Sequence, residues 1–199
     1  MPAIRPLNMQ SCKFTCMLAV SLIIIVLILT VFTLAAMIIF AFFPILTMGA
    51  PFVPSYRPKN KSSSAHLTEV INFVKNSGVG NQKSVDLGSG DGRVVREFAR
   101  GGFESWGVEI NPLLVLWSRA KIRGAGLKNA HIKWGSLWQA DLSSFDAVYL
   151  FQSNLTNKFL LNKLKRELKP SAYIVSFGFP FYGLKLVKQI GSFLVYQCD

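Results

Sequence analysis

The stretch Val85–Arg93, which reads VDLGSGDGR, places three glycines within five positions directly after a short apolar run. An apolar strand that leads through a glycine-rich turn into a helix is typical of the first unit of an alternating α/β sheet. In such sheets ligands bind beyond the carboxyl ends of the strands. Gly88 and Gly90 lack a Cβ atom, so the backbone can approach a bound group closely there. The stretch therefore predicts both the fold and the place of a ligand site.

The segments around this stretch alternate in the same way. Strands are predicted over 84–87, 106–110, 131–134, 145–151 and 172–177, and helices over 92–99, 112–122 and 157–168. An earlier helix begins at Ser62–Ser64, with its apolar stripe formed by Leu67, Val70, Ile71 and Val74. The runs 184–190 and 193–198 predict a closing hairpin. The expected fold is a Rossmann-like α/β domain whose seven-strand, mostly parallel sheet has helices on both faces and an antiparallel edge.

The N-terminal part has a different composition. No charged residue occurs from Phe14 to Tyr56, and residues 17–43 are almost entirely aliphatic or aromatic. A helix crosses a bilayer with roughly 20 apolar residues, whereas the apolar part of a cleaved signal peptide has only about 7–15. The length favours one uncleaved transmembrane helix, which Pro44 is expected to end.

These boundaries divide the chain into four parts. Residues 1–13 form a short basic segment, 14–43 the transmembrane helix, 44–64 a proline-rich connector and 65–199 the α/β domain. The net charge of +12 falls mostly after the helix, which suits a surface that lies against anionic lipid. Nucleic-acid binding is the less favoured explanation of this charge, since no nucleic-acid motif occurs. Three scattered cysteines predict neither a disulfide framework nor a metal site.

The loop itself indicates the class of ligand. A dinucleotide site reads G-x-G-x-x-G, but here the third glycine comes one position early. The carboxylate of Asp86 would repel a pyrophosphate and attract a cation. S-adenosylmethionine carries an ammonium and a sulfonium, and E/D-x-G-x-G-x-G is the pattern of the seven-strand methyltransferases. Glu109, at the end of the next strand, can accept both ribose hydroxyl hydrogens, although nicotinamide enzymes use the same device.

The predicted cofactor contacts follow from these two signals. They are Asp86, Leu87, Gly88, Gly90, Gly92, Glu109, Ile110, Ser136 and Leu137. Ser136 stands where an acidic or amide residue usually meets the adenine amino group, so that contact could instead pass to the backbone or to Gln139. The side chain of Trp138 either covers the adenine ring or packs in the protein core.

Four stretches together resemble the membrane-anchored seven-strand lysine methyltransferases. They are the apolar helix running into GAPFVPSYRP, VDLGSGDGR, GVEINPLLVLWSRAKIR and RELKPSAYIVSFGFPF. Mitochondrial members of that family modify the adenine nucleotide translocase and the c subunit of ATP synthase, and the compact chain looks more similar to bacterial relatives. Tyr182 and Gly183 depart from the bacterial pattern, which has a tryptophan there.

The resemblance implies S-adenosylmethionine-dependent N-methylation of a lysine in a membrane protein. It also implies a catalytic domain on the cytoplasmic side of a bacterial membrane, or on the matrix side of the mitochondrial inner membrane in a eukaryote. The weak bias of Lys and Arg around the apolar helix favours the same side. Methylation of a lipid, quinone or other small amphiphile remains an alternative, and so does a non-catalytic cofactor-binding module.

The substrate side of the site is less clear in the sequence. The predicted strand 145–151 leads into FQSNL, where many amino-group methyltransferases have an Asn/Asp-Pro-Pro-Tyr motif. Gln152, Ser153 and Asn154 are the candidates that would orient the target nitrogen. Asn154 and Thr156 could instead cap the following helix. Residues 179–181 (FPF) either form the wall of a lysine channel or end a strand.

Overall fold

The computed structural model describes residues 9–46, 61–78 and 82–198, which fall into two compact units that divide after Leu46. The first unit is the helix α1 (Met9–Leu46). Its segment Met17–Phe40 has a mean hydropathy of 3.2, so α1 is long and apolar enough to cross a membrane by length and composition. Residues 1–8 of the predicted basic segment (1–13) and residues 47–60 of the predicted connector (44–64) lie outside the described residues.

The helix α1 extends beyond the predicted range at both ends. The expectation that it stops at Pro44 is wrong, because the helix continues to Leu46. A proline this close to a helix end removes only one backbone hydrogen bond, so the last turn can still form. Within the apolar part, the hydroxyls of Ser21, Thr30 and Thr33 donate to backbone carbonyls of the preceding turn. Their polar groups are therefore satisfied inside the helix, as a lipid environment requires.

The second unit is the α/β domain that the sequence predicts. Its helices are α2 (Lys61–Asn76), α3 (Arg93–Arg100), α4 (Pro112–Gly124) and α5 (Asn154–Glu167). Its strands are β1 (Lys83–Leu87), β2 (Glu104–Glu109), β3 (Ala130–Trp134), β4 (Ala147–Leu150), β5 (Tyr173–Phe177), β6 (Lys185–Ile190) and β7 (Phe193–Gln197). The strand order is β3-β2-β1-β4-β5-β7-β6. The first five strands are parallel, and β7 runs antiparallel to both β5 and β6, which confirms the predicted edge hairpin.

Both faces of the sheet carry an apolar core. The predicted stripe of α2 is buried to within 2% exposure and packs with Phe98, Phe103 and Phe193 on one face. On the other face, Leu160 and Leu164 of α5 pack against strand residues. Each such side chain contributes about 1.5–3 kcal/mol when it is fully buried. The two cores fix the sheet, and with it the loops at the carboxyl ends of the strands.

The connection between β3 and β4 consists of turns in residues 135–146 and contains no helix. Lys163 of α5 is buried beneath it, donates to the carbonyl of Ala140 at 2.6 Å and pairs with Glu167. The bond to Ala140 ties this connection to α5, while the ion pair with Glu167 lies within the helix. The connection forms one wall of the candidate active site.

Candidate active site

The glycine loop lies at the carboxyl end of β1, where the strand order reverses between β2 and β4. Gly88, Gly90 and Gly92 have φ angles of 87°, 55° and 71°, a region that residues with side chains rarely adopt. The N–H groups of Gly88 and Ser89 both donate to the carbonyl of Val108, at 2.9 and 3.1 Å. The loop is thus fastened to the end of β2.

Two of the glycines make room for neighbouring side chains of the protein itself. A Cβ atom on Gly88 would lie 2.8 Å from Nε2 of Gln152, and one on Gly92 would lie 2.9 Å from Cβ of Ser118. Gly92 therefore allows α3 to approach α4, a packing role that the sequence did not indicate. Its contact with a cofactor stays a prediction.

Glu109 is buried at the end of β2 and holds the loop. One carboxylate oxygen accepts the N–H of Gly90 at 2.8 Å, and the other accepts the N–H of Asn111, also at 2.8 Å. Each carboxylate oxygen has two lone pairs, so both oxygens keep capacity for a further hydrogen bond. Asn111 in turn caps α4 through its side-chain oxygen. Glu109 thus connects the glycine loop with the start of α4.

Asp86 is the second carboxyl group of the site and is 4% exposed. Burial raises its pKa to about 8; the positive charge of Arg93 opposes the shift, and the carboxylates of Glu109 and Asp91 add to it. Asp91 is paired with Lys121 at 2.7 Å. Three carboxyl groups thus lie among two cations around the loop. Although the chain is basic overall, this position suits a positively charged ligand.

A cavity of about 230 Å³ opens beside the loop and Glu109. Five of the predicted cofactor residues line it: Gly88, Glu109, Ile110, Ser136 and Leu137. Trp138 also lines it and is half exposed, so it belongs to this wall and not to the core. Gln139, the alternative to Ser136 for the adenine contact, lines a neighbouring cavity instead. The cavity therefore combines apolar walls with the acceptor atoms of Glu109.

The three candidate substrate residues have different positions. Ser153 is the N-cap of α5, because its Oγ accepts the N–H of Thr156 at 3.2 Å; the suggestion that Asn154 or Thr156 caps this helix is wrong. The backbone of Ser153 is extended, and α5 begins at Asn154, three residues before the predicted start at 157. Gln152 donates from Nε2 to the carbonyl of Leu87 at 3.1 Å and lies over the loop. Asn154 is exposed at the rim of a separate cavity.

Aromatic side chains surround the exit of β4. The ring of Phe151 lies 5.6 Å from that of Phe177 and 6.0 Å from that of Phe179. Phe181 is buried, packs edge-on against Tyr196 and donates its backbone N–H to the Tyr196 hydroxyl at 3.1 Å. The FPF segment thus combines the buried Phe181 with Phe179, whose ring lies beside that of Phe151 at the exit of β4.

We expect Ser153→Ala to lower the free energy of unfolding by about 1 kcal/mol, because α5 loses its N-cap hydrogen bond. Ligand affinity at the glycine loop should not change. Thermal or denaturant unfolding measures the first effect, with Ser64→Ala, an exposed serine in α2, as the matched control. A loss of methyl transfer without loss of stability would instead support the predicted role of Ser153 in substrate orientation.

Comparison with known proteins agrees with this geometry. The model of the ANTKMT methyltransferase domain matches residues 86–188. The lysine N-methyltransferase of the ATP synthase c subunit from Homo sapiens is 34% identical over 132 residues, which are 66% of this chain and 52% of that protein. The protein of the same name from Caenorhabditis elegans is 32% identical over 143 residues, 69% of this chain and 74% of that one. The chain thus spans about half the length of the human relative.

Among solved structures, an RNA methyltransferase from Salinibacter ruber in complex with S-adenosyl-L-homocysteine is similar to this chain. The TM-score is 0.58 at 28% sequence identity, over 71% of this chain and 92% of that one. The similarity supports the arrangement of the sheet and its loops.

Proposed function

This chain belongs to the family of the ANTKMT methyltransferase domain, and on that premise we propose that it transfers a methyl group from S-adenosylmethionine to the ε-amino group of a lysine in another protein. The observation that carries the proposal is the glycine loop tied to Glu109, with buried Asp86 beside it. Relatives that match about two thirds of this chain are named as lysine N-methyltransferases. The apolar helix α1 supports action at a membrane.

The residues of the site fit this cofactor. Ile110, Leu137 and Trp138 offer apolar surface to the adenine ring, and Glu109 keeps lone pairs for the ribose hydroxyls. Asp86 supplies negative charge to the ammonium and sulfonium groups once it loses its proton on binding, since burial raises its pKa to about 8. The cavity of about 230 Å³ is below the roughly 300–1,000 Å³ of a complete ligand pocket, so we assign it to the adenosine part.

The cofactor, when bound, supplies an electrophilic methyl group, and the residues of this chain supply position. Holding two reactants in line can account for roughly 7–11 kcal/mol of a barrier. The lysine nitrogen must lose one proton before it attacks, because its ordinary pKa of about 10.4 leaves it as an ammonium without a free lone pair at neutral pH. The lone pair then forms the N–C bond as the bond between the methyl carbon and sulfur breaks. Phe151, Phe177 and Phe179 make the exit of β4 apolar, and a dehydrated amine has a lowered pKa. The proton then passes to solvent.

The test uses the full chain in nanodiscs with S-adenosylmethionine labelled in its methyl group. A membrane extract from cells that lack the protein serves as substrate and is afterwards separated into protein, lipid and RNA. We expect the label in protein, and methyl-lysine after hydrolysis. Label confined to lipid or RNA would contradict the proposal. Cofactor binding without any transfer would indicate the non-catalytic module.

The raised pKa of Asp86 predicts a pH dependence of cofactor binding. Below about pH 8 the free protein holds this carboxyl protonated, and a bound cation favours the carboxylate, so binding releases a proton. The Kd for S-adenosylmethionine should therefore fall as the pH rises from 6 to 8, by at most about tenfold per pH unit, and then level off.

Isothermal titration calorimetry at pH 7 measures the proton that binding releases. The buffer takes up this proton, so the apparent binding enthalpy differs between Tris and phosphate, whose ionisation enthalpies differ. Asp86→Asn is the control and should bind weakly with no pH dependence. A wild-type Kd that is constant between pH 6 and 8 would contradict a protonated Asp86 in the free protein.

A further inference from the structure

The separate cavity that has Asn154 at its rim has a volume of about 570 Å³ and lies beside the first two turns of α5. We call it the α5 cleft and define it by Leu155, Asn157, Leu161, Pro180, Phe181 and Tyr182. Its walls are mostly hydrocarbon, and its volume falls within the roughly 300–1,000 Å³ of ligand pockets. The predicted cofactor residues do not line it.

The α5 cleft is close to the reaction centre in the topology of the sheet. Asn154, at its rim, follows Gln152 and Ser153 directly, and Gln152 lies over the glycine loop. Pro180 and Phe181 follow β5, the strand next to β4. The cleft thus lies beyond the carboxyl ends of β4 and β5, beside the loop after β1. This edge of a parallel sheet is where ligands bind.

Asn157 gives the cleft a polar requirement. The residue is 2% exposed, and its Nδ2 donates to the carbonyl of Phe179 at 3.4 Å. Its Oδ1 is buried and has no hydrogen-bond partner among the described residues. A buried acceptor is costly unless a donor reaches it. The acyl chain of a lipid has no donor, whereas every peptide unit outside proline has an N–H.

The charge and the exposed rim of the cleft further limit the class of ligand that fits it. Lys158 lines the cleft, so a second ammonium would be repelled there. Leu155 and Tyr182 are 66% and 78% exposed, and Phe159, one turn along α5, is 62% exposed. Exposed apolar side chains grouped around a cleft mark an interaction site. The surface suits an uncharged apolar polypeptide segment better than the target lysine itself.

We infer that the α5 cleft binds apolar side chains that flank the methylated lysine in the substrate polypeptide, and that the Asn157 side chain shifts on binding so that its buried Oδ1 accepts a backbone N–H of that segment. This inference rests on the proposed function and deepens it, because it states which lysines are chosen. A lysine between large apolar residues is preferred over one between small polar residues.

The test uses the full chain in nanodiscs and two fluorescent heptapeptides, each with one central lysine that is flanked by leucines or by serines. Fluorescence anisotropy should give at least tenfold tighter binding of the leucine peptide, which corresponds to about 1.4 kcal/mol. Leu155→Ser and Tyr182→Ser should each remove most of this preference and leave the affinity for S-adenosylmethionine unchanged. Leu116→Ser is the matched control, because Leu116 is a leucine of α4 with 63% exposure.

Two further probes distinguish a polypeptide from a lipid as the occupant of the α5 cleft. A leucine peptide with N-methylated flanking amides should lose about tenfold in affinity, or about 1.4 kcal/mol, if Asn157 accepts a backbone N–H. In nanodiscs of brominated phosphatidylcholine, the added fluorescence of Leu155→Trp should not be quenched. Quenching would place lipid in the cleft and overturn the inference. Equal affinity for the leucine peptides with and without N-methylated backbone amides would also overturn it.

Measuring methyl transfer in the same samples distinguishes the proposed function from the role of the α5 cleft. Equal binding and equal methylation of both peptides would overturn the role of the cleft and leave the proposed function intact. Selective binding of the leucine peptide without any methyl transfer would support the cleft and contradict the function. No binding of either peptide would overturn the inference.

Discussion

Replacing Asp86 with alanine should abolish measurable binding of S-adenosylmethionine. Asp86 is buried at the end of β1, where it would lie beside the cationic part of the cofactor. Removing one partner of a buried ion pair costs about 3–5 kcal/mol. That range corresponds to an increase in Kd of roughly a hundredfold to a few thousandfold. Calorimetry or equilibrium dialysis with the labelled cofactor measures it.

The stability of the Asp86 variants separates this loss from unfolding. The buried carboxyl group is desolvated in the free protein, which is why its pKa is raised to about 8. Asp86→Asn keeps the shape of the side chain, so we expect no decrease in melting temperature above pH 8, where wild type must bury the ionised form. Glu104→Ala, at the opposite end of β2, is the control for cofactor affinity. An Asp86→Ala protein that is folded and binds with wild-type Kd would refute the assignment of the cofactor site.

The sequence predicted the parts of this site whose signals are local. The acid before the loop, the glycine spacing and Glu109 at the end of the next strand are all determined within one β-α-β unit. The apolar stripe of α2 is equally local, since Leu67 and Val74 are two helical turns apart. Such patterns need no knowledge of partners, because backbone geometry alone relates their residues.

The remaining features depend on contacts between distant residues. The room that Gly92 gives to Ser118 depends on how α3 and α4 pack, and the position of Gln152 over Gly88 depends on the pairing of β1 with β4. The error at Pro44 has another source, since proline prevents a helix interior but tolerates a helix end. The Oδ1 of Asn157, which has no partner within the described part of the chain, could not be found from the sequence, because hydrogen-bond satisfaction is a property of the packed structure.

Glu109→Gln should weaken both the fold and the cofactor site, although it changes a single atom group. Both carboxylate oxygens accept backbone N–H groups, from Gly90 and Asn111. A glutamine has one oxygen, so its NH₂ must face one of these N–H donors. Leaving a buried donor unsatisfied costs about 1–3 kcal/mol, which denaturant unfolding should record as a lower free energy of unfolding. The Kd for S-adenosylmethionine should rise by at least about tenfold as the loop loses its support.

A ligand without ribose hydroxyls distinguishes the two roles of Glu109. Wild type should bind the 2′,3′-dideoxy analogue of S-adenosylhomocysteine less tightly than S-adenosylhomocysteine, and this difference should shrink in Glu109→Gln because the ribose acceptor is impaired. Glu97→Gln is the matched control: Glu97 makes a surface ion pair with Arg100, which is worth only about 0–1 kcal/mol. If Glu109→Gln kept the stability and affinity of wild type, the loop would not depend on its bond to Glu109. If the analogue were discriminated equally by both proteins, Glu109 would support the loop without binding the ribose.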